Sequence, residues 1–499
     1  MKIFSAAQIK NWDAASIREQ GIESDALMEN AAAACYHWLL NHHLTVQPIS
    51  VFCGKGNNGG DGLALARMLL QNNVQVTVYI LELGKPGSTD FQKNLHRLHQ
   101  VTTNIHFIQS ENFFPDISGE ELIIDALFGT GLNKPPEGIA AALIEHMNNS
   151  RNPVISIDIP SGIFCDKSSR ANAAIKAAHT LSFQAIKLAF LMPENDKFVG
   201  TFHILPIGLS KKYEMEEPAV HEILDPAIIK AILRPRNKFS HKGNFGHAAL
   251  VAGSYGMMGA CVLASRACMH AGAGKLTCYI PSCGYTIIQS TVPEAMCHVE
   301  GEKYITGSKD IQKHDSIAVG PGVGIQKETG ALLLDIFRSG HKKIVLDADA
   351  LNAMAYDKKL LPHIPEGVVI TPHPKEFNNL FGPSTNDFER LETAVSKAAE
   401  YGIYIVLKGH YTAIITPLGK VYFNATGNAG MAKAGMGDVL TGIILGLMAR
   451  GYPLPEAAML GVHLHGSAGD IAAARHTQES MQASNLVDCM PDAWKLFGA

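Results

Sequence analysis

The residues best suited to chemistry in the second half of the chain surround Asp438. The stretch ATGNAGMAKAGMGDVLTGIILG places small residues and then Gly437 and Asp438 before an apolar helical segment. Backbone N–H groups at a helix N-terminus stabilise phosphoryl oxygens, and a carboxylate there can accept a hydroxyl proton. Asp438 could instead only cap the helix, which is worth about 1 kcal/mol. Because TGNAGM lies just upstream, the pattern favours a site over a cap.

A second candidate site lies in the first half, in the glycine-rich segment CGKGNNGGDGLALARML between a strand-like run and a helix-like run. Its five glycines permit positive φ angles and close backbone approach, and the following helix N-terminus offers free N–H groups to an anion. A tight turn without a ligand remains the alternative. The polar side chains of Asn57, Asn58 and Asp61 inside the turn favour a site.

Two further apolar runs end in polar residues. ELIIDALFGTGL contains Asp125, and PVISIDIPSG contains Asp158 and Ser161. One acid at a strand end commonly caps a neighbouring turn. If the strands are parallel, however, these residues could converge with Asn58 on one crevice, where their oxygen atoms suit a hard cation. Asp158, with isoleucine neighbours on both sides, could exchange protons with a substrate.

Other loops of the second half fit the same crevice as Asp438. A glycine-rich turn ends near Ala260, AVGPGVG contains Gly322, ITPHPKEF holds His373 between two prolines, and Lys408 follows a strand, where it suits a phosphate. The acids of VLDADALN could bind a ligand or only order their loop.

Two tempting motifs are rejected. HAGAGKLT resembles a phosphate-binding P-loop, but Leu276 follows Lys275 where Ser or Thr is required, and a strand is expected next. His463 and His465 could suggest a metal site. At a spacing of two residues on a helix they face different directions, so we predict structural roles.

Short apolar runs alternate with helix-period segments along the whole chain, which is typical of parallel βαβ units. The fold class is therefore α/β, with two doubly wound domains that bind ligands beyond the carboxyl ends of their strands. A charged segment and a basic, proline-containing segment interrupt the alternation, which places the domains at residues 1–215 and 222–499. YTAIITPLGKVYFNATG is predicted to form a hairpin.

Composition limits the partners. The 499 residues are 46% hydrophobic and 18% charged, which is typical of a globular enzyme, and the net charge of −4 gives no reason to expect nucleic acid or an anionic membrane. The nine cysteines form no CxxC pair, and no signal peptide or membrane-spanning run is found. We therefore predict a cytoplasmic protein; Ala-rich helix faces would permit a homo-oligomer.

GNNGGDG, DALFGTGL and DIPSG, in this order, resemble the N-terminal domain of the bifunctional NAD(P)H-hydrate repair enzymes, over about residues 1–210. The resemblance implies a Rossmann-like three-layer α/β/α domain, an isomerase that interconverts the R and S epimers at C6 of hydrated NADH or NADPH and uses K⁺. It implies Asp158 as the acid–base residue and Asn58, Asp125 and Ser161 as K⁺ ligands. The implied substrate-binding residues are Asn57, Asn58, Gly59, Gly60, Asp61, Gly129, Thr130, Gly131, Leu132, Asn133, Lys134, Pro135 and Asp158. A related domain occurs in a decapping scaffold protein without this activity, so fold alone does not establish catalysis.

GPGVG, DADALN, TPHPKE, LKG and GMGDVLTG resemble the dehydratase domain of the same family, which is ribokinase-like, over roughly residues 225–495. The resemblance implies a lyase that phosphorylates the C6 hydroxyl with ADP or ATP, together with Mg²⁺, and then eliminates phosphate. Asp438 would be the base. Ala260, Gly322, His373 and Asp438 would contact the hydrate, and Lys408, Gly409, His410, Tyr411, Thr412 and Gly437 would contact the nucleotide.

Two positions depart from the family pattern: Lys375 stands where the family has Gly, and Met436 removes a hydroxyl donor near the phosphate. We expect altered affinity rather than lost activity. ADP is preferred over ATP only because fused bacterial-type members tend to use ADP. The main alternative is a ribokinase-like kinase for a small alcohol such as a vitamin precursor, with a non-catalytic nucleotide-binding or protein-interaction domain in front of it.

Overall fold

The computed structural model describes residues 1–117 and 119–498. Contacts divide the chain into two units. The N-terminal unit comprises Lys2–Ala219 and Asn386–Phe388, and the C-terminal unit comprises Met1, Val220–Thr385 and the chain from Glu389 onward. The predicted α/β class is confirmed for both.

The N-terminal unit is built on a seven-stranded sheet whose strand order is β4-β3-β2-β5-β6-β7-β8. Each neighbouring pair is parallel, as the sequence predicts. The strands of this unit are β1 (Lys2–Ile3), which is not among the seven, β2 (Ile49–Cys53), β3 (Val76–Leu81), β4 (Ile105–Ile108), β5 (Leu122–Ala126), β6 (Val154–Ile157), β7 (His179–Phe183) and β8 (Thr201–Leu205).

Helices cover both faces of this sheet. Val51 and Phe52 are neighbours on β2, yet they belong to two different hydrophobic clusters, because successive side chains of a strand point to opposite faces. This gives the expected three-layer arrangement. The helices are α1 (Ala6–Gln20), α2 (Ser24–Asn41), α3 (Asn57–Gln71), α4 (Thr89–His99), α5 (Ile139–Asn149), α6 (Asp196–Val199) and α7 (Lys211–Glu216).

The C-terminal unit has a larger, mixed sheet, in which its strands follow the order β9-β18-β17-β16-β15-β14-β13-β10-β11-β12. The seven neighbouring strands β16, β15, β14, β13, β10, β11 and β12 all pair in parallel. Strands β17 and β18 form the predicted antiparallel hairpin. The strands are β9 (His221–Ile223), β10 (His247–Val251), β11 (Lys275–Ile280), β12 (Met296–Val299), β13 (Ser316–Val319), β14 (Ile344–Leu346), β15 (Val369–Ile370), β16 (Tyr404–Leu407), β17 (Ala413–Ile415) and β18 (Val421–Phe423).

The helices of the second half are α8 (Pro226–Ile232), α9 (Met258–His270), α10 (Tyr285–Thr291), α11 (Lys327–Arg338), α12 (Asp349–Tyr356), α13 (Pro374–Phe381), α14 (Asp387–Tyr401), α15 (Met436–Ala449), α16 (Leu454–Ser480) and α17 (Ala483–Leu496). Helix α15 lies unusually close to α9. A Cβ atom on Gly442 would be 2.1 Å from the carbonyl oxygen of Ala264, and one on Gly446 would be 2.5 Å from that of Cys268. The two glycines therefore allow the backbones of α9 and α15 to touch. No helix of the described residues is long and apolar enough to cross a membrane.

Candidate active sites

The glycine-rich turn of the first half connects β2 to α3, and its glycines serve close packing. A Cβ atom on Gly54 would be 1.9 Å from the oxygen of Leu127, and one on Gly59 would be 1.7 Å from the oxygen of Gly54. None of the five glycines of this turn, all of which are described, has a positive φ. The turn therefore does not use the positive φ angles that its glycines permit, whereas close backbone approach is confirmed.

The predicted K⁺ ligands lie together around the peptide of Phe128. Its oxygen accepts a hydrogen bond from Nδ2 of Asn58 at 3.0 Å, and its N–H donates to Oγ of Ser161 at 2.8 Å. Ser161 in turn donates its hydroxyl to Oδ1 of Asp125 at 2.5 Å and its N–H to Oδ2 at 2.8 Å. Burial raises the pKa of Asp125, although these bonds oppose the rise.

One buried atom in this cluster lacks a hydrogen-bond partner. Oδ1 of Asn58 is inaccessible to solvent and accepts no hydrogen bond from any described residue. An unpaired buried amide oxygen usually costs about 1–3 kcal/mol, so such an atom calls for an explanation. Neutral amide, hydroxyl and carbonyl oxygens beside one carboxylate are ligands that suit a hard cation. The donor set therefore fits the K⁺ that the sequence motifs imply.

Asp158 follows β6 and has an uncommon backbone conformation, with a φ of 64°. Its Oδ1 accepts hydrogen bonds from Nζ of Lys187 at 2.5 Å and from the N–H of Phe183 at 3.3 Å. Lys187 is fully buried and also donates to Oγ of Ser182 at 2.6 Å and to the oxygen of Phe183 at 3.3 Å. A non-glycine residue in this region costs about 1–3 kcal/mol, which the surrounding bonds offset.

Asp158 lines a cavity of about 840 Å³ within the N-terminal unit. Gly59 and Gly60, which the sequence also assigns to the substrate, do not belong to its lining; they pack against Gly54 and Met28. The other predicted substrate-binding residues do line it: Asn57, Asn58, Asp61 and residues 129–135.

Asp13, Asp61 and Asp158 line this cavity, and Lys187 lies behind Asp158. Burial and the nearby charge of Asp158 raise the pKa of Asp13 to about 7, while Lys187 opposes the rise. Burial, Asp158 and Asp13 raise the pKa of Asp61 well above its ordinary value. Sequence reasoning missed Asp13 and Lys187. The available signals were an acid on the apolar face of α1 and one lysine inside the apolar run FQAIKLAFL.

In the C-terminal unit, Asp438 is the third residue of α15. The cap position belongs to Gly435, which has a φ of 89°, and no described residue donates a hydrogen bond to the Asp438 carboxylate. The alternative that Asp438 only caps the helix is therefore wrong. Burial raises the pKa of Asp438 to about 7; Asp347 and Asp349 add to the rise and Lys408 opposes it.

Lys408 lies beside the start of α15. Its Nζ is 2.9 Å from Oδ1 of Asp347 and 3.8 Å from Oε2 of Glu376, and Oδ2 of Asp347 accepts the Thr441 hydroxyl at 2.7 Å. Burial alone would lower the pKa of Lys408, but the two acids raise it above its ordinary value. A Cβ atom on Gly437 would be 3.4 Å from Nζ of Lys408, so this glycine leaves the lysine open on that side. Sequence reasoning missed Glu376 and Thr441.

Of the residues predicted to contact the hydrate, Ala260 lies in the first turn of α9 and close to Gly322. Gly322 has a φ of 65°, and a Cβ atom there would be 3.3 Å from that of Ala260. His373 caps α13, because its Nδ1 accepts the N–H groups of Lys375 and Glu376 at 3.1 and 3.2 Å. Lys375 has no positive φ, so the departure from the family glycine leaves the backbone unstrained.

The acids of the DADALN segment order their surroundings. Oδ2 of Asp349 accepts the N–H of Gly324 at 2.9 Å, which ties this segment to the loop of Gly322. In the predicted nucleotide loop between β16 and β17, the Thr412 hydroxyl donates to the oxygen of Gly409 at 2.9 Å. The loop ordering that the sequence left open for Asp347 and Asp349 is thus confirmed.

The two rejected motifs have structural roles. Lys275 begins β11, so no helix follows the false P-loop motif. Nδ1 of His463 is 3.2 Å from Oδ1 of Asn424, whereas Nε2 of His465 is 2.9 Å from the oxygen of Met436. The two imidazoles therefore have separate partners, as the sequence predicts.

Two family models match the chain. The model described as NAD(P)H-hydrate dehydratase matches residues 248–492, and the model described as YjeF-related protein N-terminus matches residues 24–189. A crystal structure of a ribokinase-like superfamily protein from Enterococcus faecalis is 27% identical and covers 56% of this chain and 98% of its own, with a TM-score of 0.51. This likeness supports the ribokinase-like fold of the C-terminal unit.

Two relatives match almost from end to end. The bifunctional NAD(P)H-hydrate repair enzyme of Thermofilum pendens is 33% identical over 99% of this chain and 96% of its own length. That of Moorella thermoacetica is 34% identical over 98% of this chain and 96% of its own. With the site residues of both units in place, these matches show that the chain belongs to the family of bifunctional NAD(P)H-hydrate repair enzymes.

Proposed function

We propose that the chain repairs hydrated NADH and NADPH in two steps. The N-terminal unit interconverts the R and S epimers at C6, and the C-terminal unit dehydrates the S epimer while ADP is converted to AMP and phosphate. The observation that carries the proposal is the position of Asp438, which is free of hydrogen-bond partners among the described residues and lies in the first turn of α15 near Lys408.

In the dehydration, Asp438 accepts the proton of the C6 hydroxyl as the hydroxyl oxygen attacks the terminal phosphorus of ADP. The bond from that phosphorus to the bridging oxygen breaks, and AMP leaves. The C6–O bond then breaks with the help of the electron pair on the ring nitrogen, phosphate departs, and loss of a proton from C5 restores the double bond. A base with a pKa near 7 suits this task, because general bases act best near the operating pH.

The nucleotide would contact Lys408, Gly409, His410, Tyr411, Thr412 and Gly437. The charge of Lys408 and the free N–H groups of the α15 N-terminus would stabilise the phosphoryl oxygens as negative charge develops. Mg²⁺ would accompany the nucleotide, because this ion usually binds through phosphate oxygens and one or two carboxylates. Glu376, 3.8 Å from Nζ of Lys408, and Asp349, whose charge helps to raise the pKa of Asp438, are acids beside this site.

In the epimerisation, Asp158 would exchange the proton of the C6 hydroxyl inside the cavity of about 840 Å³, a volume suited to a nucleotide-sized ligand. K⁺ would be held by Asn58, Asp125 and Ser161, where the unpaired Oδ1 of Asn58 supports the assignment. When bound, the ion would supply positive charge beside the loop of residues 129–135. The predicted substrate contacts of this loop and of residues 57–61 belong to the same proposal.

The decisive experiment incubates the full chain with hydrated NADH and, separately, ADP or ATP, while the absorbance band of the reduced nicotinamide is followed. We expect recovery of NADH that requires nucleotide and exceeds the share of the S epimer initially present. Transfer of phosphate to another small alcohol without recovery of NADH would instead favour a ribokinase-like kinase with a non-catalytic N-terminal unit.

Location and assembly belong to the proposal as well. All nine cysteines are free thiols, seven of them buried, which supports a reducing compartment such as the cytoplasm. A homo-oligomer, the absence of a nucleic-acid partner and the boundaries 1–215 and 222–499 stay predictions. Sedimentation of the purified chain would test the first of these.

A further inference from the structure

Helix α1 presents an acid to the cavity of the N-terminal unit. Ile9, Asp13 and Ile17 are spaced four residues apart, so they lie on one face of the helix, and all three line the cavity. All three residues are half-buried, and a carboxyl group between two isoleucines loses part of its hydration without gaining a partner there. No described residue donates a hydrogen bond to Asp13, so the structure offers no such partner.

The helix that carries Asp13 is held firmly in place. Ser5 and Gln8 form a capping box at its N-terminus. Nε1 of Trp12 donates to the oxygen of Ser210 at 2.8 Å, and Oγ of Ser16 accepts the N–H of Ser210 at 2.8 Å. Trp12 directly precedes Asp13, and Ser16 follows it by three residues. These bonds therefore hold the part of α1 that carries Asp13 at the cavity wall.

Asp158 differs from Asp13 because its charge is already balanced. The three hydrogens of the Lys187 ammonium group have acceptors in Asp158, Ser182 and Phe183, and both hydrogen bonds to the Asp158 carboxylate end on Oδ1. Lys187 is therefore the counter-ion of Asp158, whose Oδ2 is left for the substrate. A carboxylate paired in this way is suited to act as the base rather than as the proton donor.

Epimerisation at C6 needs both. The carbon carries a hydroxyl group and the ring nitrogen, so its configuration can be inverted by opening and closing the ring. The base removes the hydroxyl proton, C6 becomes a carbonyl carbon, and the bond from C6 to the nitrogen breaks. The nitrogen keeps the electron pair and takes a proton from an acid. After rotation about the C5–C6 single bond, the same steps run backwards and close the ring on the other face.

We propose that Asp13 is the acid in this reaction, giving a proton to the ring nitrogen and recovering it on closure while Asp158 exchanges the hydroxyl proton. This inference rests on the epimerase activity of the proposed function. Asp13 would thus touch the reacting atoms and be a catalytic residue that the sequence motifs do not assign.

The charges around Asp13 agree with this role. The groups that face it are Asp158 and Lys187 from the carboxyl end of the sheet, Asp61 from α3, and Lys10 from its own helix. With a pKa of about 7, Asp13 is partly protonated at neutral pH, as an efficient general acid should be. Burial and the charges of Asp158 and Asp13 raise the pKa of Asp61 well above its ordinary value.

The test measures interconversion of purified R and S hydrates of NADPH by the full chain without nucleotide, from pH 5 to 9, with separation by chromatography. For Asp13→Asn we expect kcat to fall by about 10²–10⁴-fold, with little change in KM. The parent should lose activity as the pH rises through about 7, because Asp13 must be protonated. The fall in activity with rising pH should be absent in Asp13→Asn. In Asp13→Glu it should occur at another pH, and the rate should be higher than in Asp13→Asn.

Glu145→Gln, an acid-to-amide change at an exposed position of α5, is the matched control and should behave like the parent. Dehydration of the S hydrate with ADP, measured on the same samples, reports an intact C-terminal unit. An unchanged kcat and pH profile in Asp13→Asn, or an effect on KM alone, would overturn the inference. If Asp13→Asn fails to fold, an unchanged pH profile in Asp13→Glu would overturn the inference instead. A parent chain that cannot interconvert the hydrates would refute the proposed function itself.

Discussion

Both candidate sites combine a carboxylate with a lysine, buried in the first site and half-buried in the second, but the two pairs are connected differently. In the N-terminal unit, Lys187 binds Asp158 directly at 2.5 Å. In the C-terminal unit, Lys408 binds Asp347 at 2.9 Å, and Asp438 has no hydrogen-bond partner among the described residues. The first arrangement gives the carboxylate a direct counter-ion. The second leaves the pKa of the carboxylate free to rise to about 7, because burial and Asp347 outweigh the more distant lysine.

The comparison assigns different duties to the two lysines. Lys187 uses all three of its hydrogens within the protein, so it can only set the charge state of Asp158. Lys408 uses its charge on Asp347 and Glu376 and remains open toward Gly437, where a phosphoryl group can approach. The same residue type thus acts as a counter-ion in one unit and as a ligand for an anion in the other.

The largest effect is expected for Asp438→Asn. The amide cannot accept the hydroxyl proton, so dehydration of the S hydrate should fall by at least about 10²–10⁴-fold. Recovery of NADH with ADP is the measurement. Interconversion of the R and S hydrates should continue, which separates the two sites within one chain. Regeneration of NADH at the parental rate would refute the role of Asp438.

The next effect is expected for Lys187→Met, which removes the cation from a buried pair. Breaking such a pair by deleting one partner costs about 3–5 kcal/mol of unfolding free energy. Asp158 loses its counter-ion and the hydrogen bond that positions its carboxylate, so epimerisation should be lost together with stability. Denaturant unfolding and hydrate interconversion are the readouts. The double variant Lys187→Met/Asp158→Asn should regain stability but not activity; if it stays as unstable as the single variant, the pairing argument fails.

A smaller effect, on the pH profile, is expected for Asp347→Asn. Asp438 must be ionised to act as a base, so dehydration by the parent should be lost as the pH falls through about 7. Removing Asp347 removes a charge that raises the pKa of Asp438 and frees Lys408, so this loss should move to lower pH. The measurement is kcat against pH. Thr441→Val, which removes only a hydrogen bond to Asp347, is the control and should leave the midpoint in place. If the midpoint does not move in Asp347→Asn, Asp347 does not raise the pKa of Asp438.

The smallest effect is expected for Lys375→Gly, which restores the residue usual in the family. Lys375 lies in the first turn of α13 without a positive φ, so glycine brings no relief of strain and destabilises the helix by about 1 kcal/mol or less. KM for the hydrate and for ADP should be nearly unchanged. A large drop in either would show that the lysine side chain itself obstructs the ligand.

Much of this arrangement could be predicted from the sequence, because the relevant signals are local. Apolar runs mark the central strands, and polar residues just after β5 and β6 mark the edge where Asp125, Ser161 and Asp158 meet. The edge strands β4 and β12 are short and half exposed, so they lack the continuous apolar run that marks a central strand.

The partners of the reacting groups could not be predicted in the same way. Lys187 is 29 residues from Asp158, and Lys408 is 61 from Asp347, so nothing local pairs them. The reason for the glycines of the turn between β2 and α3 could not be predicted either. A Cβ atom at two of them would collide with neighbouring backbone atoms, and φ preferences do not reveal such contacts. Asp13 remained hidden since its neighbours in space are remote in sequence.

The backbone contact between α9 and α15 has a consequence for tolerance to mutation. Ala260 lies on α9 and Asp438 lies on α15, and Gly442 and Gly446 let the two helices touch without intervening side chains. The distance between Ala260 and Asp438 is therefore set by main-chain contacts. A single methyl group at Gly442 would push the two helices apart and displace the Asp438 carboxylate from the hydrate. Gly442→Ala should therefore reduce dehydration as strongly as a substitution of a residue that contacts the ligand.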